Sequence, residues 1–168
     1  MRTIQKKVCL LGDFAVGKTS LIRRFVEGRF DDRYLSTIGV KISRKTMTRD
    51  EYLLNLLIWD LAGGDDFSKA GASYLRGASG ALVVCDLSRA ETLDALAYYA
   101  RQLRAINETA ALLFIGNKVD LVEERKISDE ALAQVAQTFA APILLTSALT
   151  GSNVEYAFHC LAETIEAP

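Results

Sequence analysis

The stretch Gly12-Asp13-Phe14-Ala15-Val16-Gly17-Lys18-Thr19, between the apolar run Val8-Cys9-Leu10-Leu11 and the helix-like Ser20-Leu21-Ile22-Arg23-Arg24-Phe25, constrains this chain more than any other. A glycine at each end, then a lysine and a hydroxyl, is the composition that a phosphate cradle requires. Gly12 and Gly17 permit backbone angles and close approaches that a Cβ forbids, so successive N–H groups can turn inward around a polyphosphate at a helix N-terminus. Lys18 would reach the β- and γ-phosphates and Thr19 would ligate Mg2+. Placement between a buried strand and a helix separates the motif from an ordinary glycine-rich turn.

The rest of the chain repeats this alternation. Apolar runs at Lys7 to Leu11, Tyr52 to Trp59, Ala81 to Asp86, Ala111 to Asn117 and Ile143 to Thr146 predict strands, and their continuous hydrophobicity suits a parallel sheet covered on both faces. Lys18 to Glu27, Thr92 to Ile106, Asp129 to Phe139 and Asn153 to Ile165 carry the helical period, with Ser128 and Ser152 as N-caps of the last two. Ile38 to Thr46 and Glu51 to Trp59, joined near Thr48-Arg49-Asp50, read as a hairpin that supplies one antiparallel edge strand. The expected fold is α/β, a doubly wound, mostly parallel six-stranded sheet with helices on both faces, its ligands beyond the carboxyl ends of the strands. At 168 residues, without linker or repeat, the chain is a single domain spanning 1–168.

Three more motifs fall at strand ends. Trp59-Asp60-Leu61-Ala62-Gly63-Gly64 places an acid where it can hold Mg2+ and a glycine, Gly63, whose N–H can face a γ-phosphate. Asn117-Lys118-Val119-Asp120 chooses the base, because a carboxylate accepts from both N1–H and the N2 amino group of guanine, whereas adenine offers no such pair. Thr146-Ser147-Ala148 would present backbone to the guanine oxygen.

Composition narrows the alternatives. A net charge of −1, from 20 basic and 21 acidic residues, gives no sequence-wide case for nucleic acid. No apolar run nears the roughly 18–20 residues that cross a bilayer, and no signal-peptide pattern opens the chain, so a cytoplasmic protein is expected. Cys9, Cys85 and Cys160 sit in apolar contexts without metal or redox spacing, and read as reduced thiols. His159, the single histidine, lacks a partner at ligand spacing.

With the cradle, Trp59-Asp60 and Asn117 to Asp120 in this order, the chain resembles the small GTPases of the Ras superfamily over essentially its whole length. Ser36-Thr37-Ile38-Gly39-Val40 and Tyr74-Leu75-Arg76-Gly77-Ala78-Ser79-Gly80 are similar to stretches of the Rab branch. The resemblance implies a switch between GDP and GTP forms, with GTP hydrolysis and Mg2+. Mobile segments would lie at about Asp31 to Val40 and Asp60 to Tyr74, where effector, exchange factor and activating protein would bind. It implies nucleotide contacts from Asp13, Phe14, Ala15, Val16, Gly17, Lys18, Thr19, Ser20, Phe30, Tyr34, Thr37, Gly63, Asn117, Lys118, Asp120, Leu121, Ser147, Ala148 and Leu149. Metal ligation would fall to Thr19, Thr37 and Asp60, and the catalytic set would be Lys18, Thr37, Gly63 and Gly64. Loss of the γ-phosphate would release Thr37 and Gly63 and loosen both segments.

The chain also departs from this pattern. Gly64 stands where most of the family carries the glutamine that orients the attacking water, so slow intrinsic hydrolysis is expected. Asp65 and Asp66 read as solvated charge, since phosphate repulsion argues against a substitute role. Phe14 occupies a cradle position usually given to a small residue and would crowd the entry of an arginine finger. Lys41-Ile42 replaces the Asp-Phe that typically follows Ile-Gly-Val, leaving Trp59 and Tyr74 of an aromatic triad that effectors read. Leu149 replaces a lysine beside the base. The ending Ala167-Pro168 carries no terminal cysteine motif, so a prenyl anchor is not expected on the sequence as given, which leaves open a longer native chain or a protein that works unlipidated. A monomer is expected. A constitutively nucleotide-bound scaffold without significant hydrolysis is the competing reading, and a small-molecule kinase lacks its arginine-rich lid.

Overall fold

The computed structural model describes residues 1–26, 33–35 and 40–166, the segment 33–35 through its backbone alone. Seven strands form one sheet among these residues: β1 Arg2–Leu11, β2 Arg33–Leu35, β3 Val40–Thr48, β4 Tyr52–Asp60, β5 Ala78–Asp86, β6 Ala111–Asn117 and β7 Ile143–Leu145, in the order β2-β3-β4-β1-β5-β6-β7. The β1–β4, β1–β5, β5–β6 and β6–β7 pairs are parallel, while β2–β3 and β3–β4 are antiparallel. All six expected strands are present. The short β2 extends the sheet one strand beyond the hairpin, and β1 continues back to Arg2 because β4 offers it partners as far as Tyr52. The turn at Thr48 to Asp50 closes through Arg49 N–H to Tyr52 C=O, 2.9 Å.

The helices are α1 Lys18–Phe25, α2 Gly64–Ala70, α3 Glu91–Ile106, α4 Asp129–Thr138 and α5 Val154–Glu166, with a 3-10 turn at Gly71–Leu75. Two cores result. Val8, Leu10, Leu54, Leu56, Ile58, Leu82 and Val84 pack under α1 and α5, where Phe25 stacks on Phe158 with centroids 4.2 Å apart. Cys9, Leu11, Ala81, Val83, Cys85 and Phe114 pack under α2, α3 and α4. Both faces are therefore covered, as the apolar strands require. In β4 burial alternates instead, with Leu54, Leu56 and Ile58 buried and their neighbours half-exposed.

Ser128 caps α4, its hydroxyl accepting from Ala131 N–H at 3.1 Å. Ser152 does not cap α5. Its carbonyl closes the preceding loop by accepting from Ser147 N–H, so the helix begins one residue later, behind Asn153. The helix α2 was not expected: a seven-residue element opened by glycine carries too little periodicity, and a contact with α3 sustains it instead. No described helix is long and apolar enough to cross a membrane.

Candidate nucleotide site

Four strands deliver their carboxyl ends to one place: β1 leads into Gly12 to Thr19, β4 ends at Asp60, β6 ends at Asn117, and β7 leads into Thr146 to Leu149. A cavity of about 910 Å3 opens over the first two, lined by Phe14, Gly17, Lys18, Thr19, Asp60 and Gly63 among others. A second of about 320 Å3 lies beside Asn117, Asp120, Leu121, Ala148 and Leu149. Gly17, Ser20 and Lys118 line both, so the two hollows are halves of one cleft.

The cradle has the backbone that its glycines permit. Gly17 caps α1 at φ 106°, and a Cβ there would stand 2.3 Å from Asn117 Nδ2. Lys18, 7% exposed, donates to the carbonyls of Gly12 and Asp13 at 2.9 Å each. Burial lowers its pKa, opposed by the carboxylates of Asp60 and Asp13. Thr19 donates its hydroxyl to Asp60 Oδ2 in a very short contact. That pairing brings two hard oxygen donors to the cavity floor, which suits Mg2+, an ion that takes one or two protein oxygens and completes its shell with phosphate and water. Gly63 is docked on the cradle so closely that a Cβ would lie 2.3 Å from Gly12 C=O.

The base-side loops are tied to the cradle through buried bonds. Asn117, 1% exposed, donates from Nδ2 to Val16 C=O at 2.9 Å and accepts at Oδ1 from the Thr146 hydroxyl, also at 2.9 Å. Lys118, at φ 68°, reaches back to Ala15 C=O at 3.1 Å and pairs with the buried Asp86 at 2.8 Å. Burial pushes the Asp86 carboxyl up, but the Lys118 ammonium and two bonds from Ser88 outweigh it and hold the pKa below the ordinary range. Asp120 accepts from the Ser147 hydroxyl at 2.7 Å. Ser147 N–H is already donated to Ser152 C=O, 3.1 Å away. Leu121, Ala148 and the exposed Leu149 border the hollow.

At the other end Phe14 is 79% exposed on the cavity rim, its carbonyl accepting from Arg89 at 2.9 Å. Gly64 sits at φ 63° with nothing within 4 Å of where a Cβ would be. Its N–H is donated to Tyr99 Oη at 2.8 Å. Phe30 and Thr37 lie outside the described residues, and Tyr34 is placed by its backbone in β2, opposite Lys41. Sequence reasoning missed Asp86, Arg89, Thr146 as a partner of Asn117, and Tyr99. Thr146 lies within a recognised motif and Asp86 ends a predicted strand, but only the fold brings Arg89 and Tyr99 to the cradle.

A phosphate cradle, an acid–hydroxyl pair beside it and a carboxylate in a separate hollow define a nucleotide-binding protein of the doubly wound class. The Ras family model matches residues 7–167. The chain is 38% identical to the Ras-related protein RABD1 of Arabidopsis thaliana over 95% of its length and 78% of the relative's. It is likewise 38% identical to the Ras-related protein RIC1 of Oryza sativa subsp. japonica, over 95% and 80% respectively. The chain belongs to the Ras family of small GTPases, on its Rab-like side.

Proposed function

We propose that this small GTPase binds GDP and GTP with Mg2+ in the cleft described above and hydrolyses GTP slowly by itself. One observation carries the second half: Gly64 offers no side chain to hold a water, and its N–H is turned to Tyr99. Supporting it, Phe14 stands exposed at the rim where a partner's arginine would enter.

In this reading the N–H groups of Asp13 to Ser20 and the Lys18 ammonium grip the phosphates, and Lys18 leaves the carbonyls of Gly12 and Asp13 to do so. Thr19 and Asp60, with Thr37, hold Mg2+, which when bound neutralises charge on the phosphates. Gly63 N–H faces the terminal phosphate. Phe30 would pack on the guanine ring, and Tyr34 would add a nucleotide contact. Asp120, oriented by Ser147, accepts from N1–H and N2 of guanine. With Ser147 N–H already engaged, the guanine oxygen falls to Ala148 N–H. Lys118, Leu121 and Leu149 border the base.

Effector, exchange factor and activating protein meet the protein through 31–40 and Asp60 to Tyr74. Beside this surface Ile42 pairs in register with Trp59, and Trp59 and Tyr74 have ring centroids 6.3 Å apart. An aliphatic residue in place of the triad's third aromatic makes the partner set differ from that of standard Rabs.

Single-turnover hydrolysis of γ-labelled GTP tests the reading. Wild type is expected to be slow, and Gly64→Gln to raise the rate on the order of 10- to 100-fold by orienting the water. The left-handed backbone at Gly64 makes the same substitution cost about 1–2 kcal/mol of stability. A wild-type rate matching glutamine-bearing relatives, with no gain from Gly64→Gln, refutes slow turnover. Hydrolysis absent even with cell lysate favours the constitutive scaffold.

A further inference from the structure

Three segments meet on one buried oxygen. Tyr99, in the middle of α3 and 2% exposed, accepts at Oη from Gly64 N–H at 2.8 Å and donates its proton to Asp13 Oδ1 at 3.0 Å. A phenol carries one proton and two lone pairs, so these bonds commit the proton and one acceptor. The ring is held edge-on by Phe67 of α2, centroids 5.0 Å apart, and by Tyr98 at 5.2 Å. Burial pushes the phenol up to about 12, with Gly64 N–H opposing and Asp13 adding, so the donor persists across the working pH range. Asp13 belongs to the cradle, Gly64 to the start of α2, and Gly63 between them is pressed against Gly12 and Asp13.

We infer that Tyr99 is a positioning residue, which clasps Gly63-Gly64 to the cradle through its hydroxyl; the inference rests on the proposed function for what the clasp positions. A glutamine at 64 would be fixed by its own contacts with water and phosphate. Glycine has none, and left to itself the pair would sample the broad conformational range of two adjacent glycines. The Tyr99 hydroxyl removes that freedom from the α3 side and keeps Gly63 N–H aimed at the terminal phosphate.

Residue-resolved amide hydrogen exchange tests this on the protein as purified, loaded with GDP, and loaded with a non-hydrolysable GTP analogue. In wild type, Gly64 N–H is expected to be protected already in the as-purified and GDP samples, where no γ-phosphate holds the segment. Tyr99→Phe keeps the ring and its packing, and should speed Gly64 exchange about 10-fold or more in the as-purified and GDP samples, as expected for losing a hydrogen-bonded clasp with one charged member. The amides of Ala100 and Leu103 in the same helix should not change. Single-turnover hydrolysis by Tyr99→Phe should slow about 3- to 10-fold with GTP affinity retained, a split that a loss of folding would not produce. Unchanged Gly64 exchange in Tyr99→Phe overturns the clasp, and so does wild-type protection that rises more than 10-fold only with the GTP analogue. If the protein takes up no guanine nucleotide, the proposed function fails, while the as-purified comparison of the two proteins still decides whether the clasp exists.

Discussion

Asn117 is expected to hold the two halves of the cleft together, and Asn117→Ala measures how strongly. The side chain is 1% exposed and makes two bonds, from Nδ2 to Val16 C=O and from the Thr146 hydroxyl to Oδ1, each 2.9 Å. Both partner residues are fully buried, so truncation leaves a carbonyl and a hydroxyl without access to water. Each orphaned group costs about 1–3 kcal/mol, and the hydroxyl can partly recover by rotation, giving a loss of roughly 2–5 kcal/mol. Thr146→Val removes only the second bond while preserving shape, and should cost about 1–2 kcal/mol. Because the two substitutions delete one shared bond, the double variant should be more stable than the sum of the single losses implies. Urea unfolding followed by fluorescence of Trp59 supplies all three values, with an unchanged denaturant slope showing that the denatured state is not altered. A loss below about 1 kcal/mol for Asn117→Ala, or strict additivity in the cycle, refutes the assignment of Asn117 as the tie between cradle and base loop.

Ser147→Ala frees Asp120 from its 2.7 Å bond and should weaken GDP binding about 10- to 100-fold in a fluorescent-nucleotide titration, without lowering the preference for guanine over adenine. Asp120→Ala, in contrast, should erase that preference. Asp86 contributes to the acid limb of stability: its depressed carboxyl is ionised in the native state, so its contribution is present above about pH 4 and fades as pH falls through the lower native value. Asp86→Asn should cost about 1–2 kcal/mol at pH 7, with the gap to wild type narrowing below about pH 4 in denaturant titrations. Burial pushes the Cys9 and Cys85 thiols up to about 12, with Lys7 opposing at Cys9 and Asp86 adding at Cys85, while Cys160 is half-exposed. A thiol reagent at pH 8 should therefore label Cys160 alone in the native protein and all three cysteines in denaturant.

Strand and helix placement was readable because burial on both faces leaves continuous apolar runs in β5 and β6, and because α3 and α5 keep a strict apolar stripe. The cradle was readable for a different reason. Gly12 and Gly17 are dictated by nearby atoms, Val84 C=O and Asn117 Nδ2, that leave no room for a side chain, so local sequence records a tertiary constraint. What sequence did not disclose depends on distant contacts. Tyr99 looks like another core aromatic of α3, and nothing local distinguishes it from Tyr98; only the packing of α3 against α2 puts its hydroxyl between Asp13 and Gly64. The short α2 has the same origin. α5 starts at Val154 rather than directly behind Ser152 because the Ser147 to Ser152 loop uses the Ser152 carbonyl, a bond between residues too close in sequence to leave a periodic trace.

Equilibrium uptake of labelled nucleotides by stripped protein, in the presence of Mg2+, tests the central claim most directly. One molecule of GDP or GTP should bind per chain in a saturable manner, with ATP failing to compete. No saturable uptake of guanine nucleotide, or displacement by ATP at equal concentration, would contradict the assignment of the cleft.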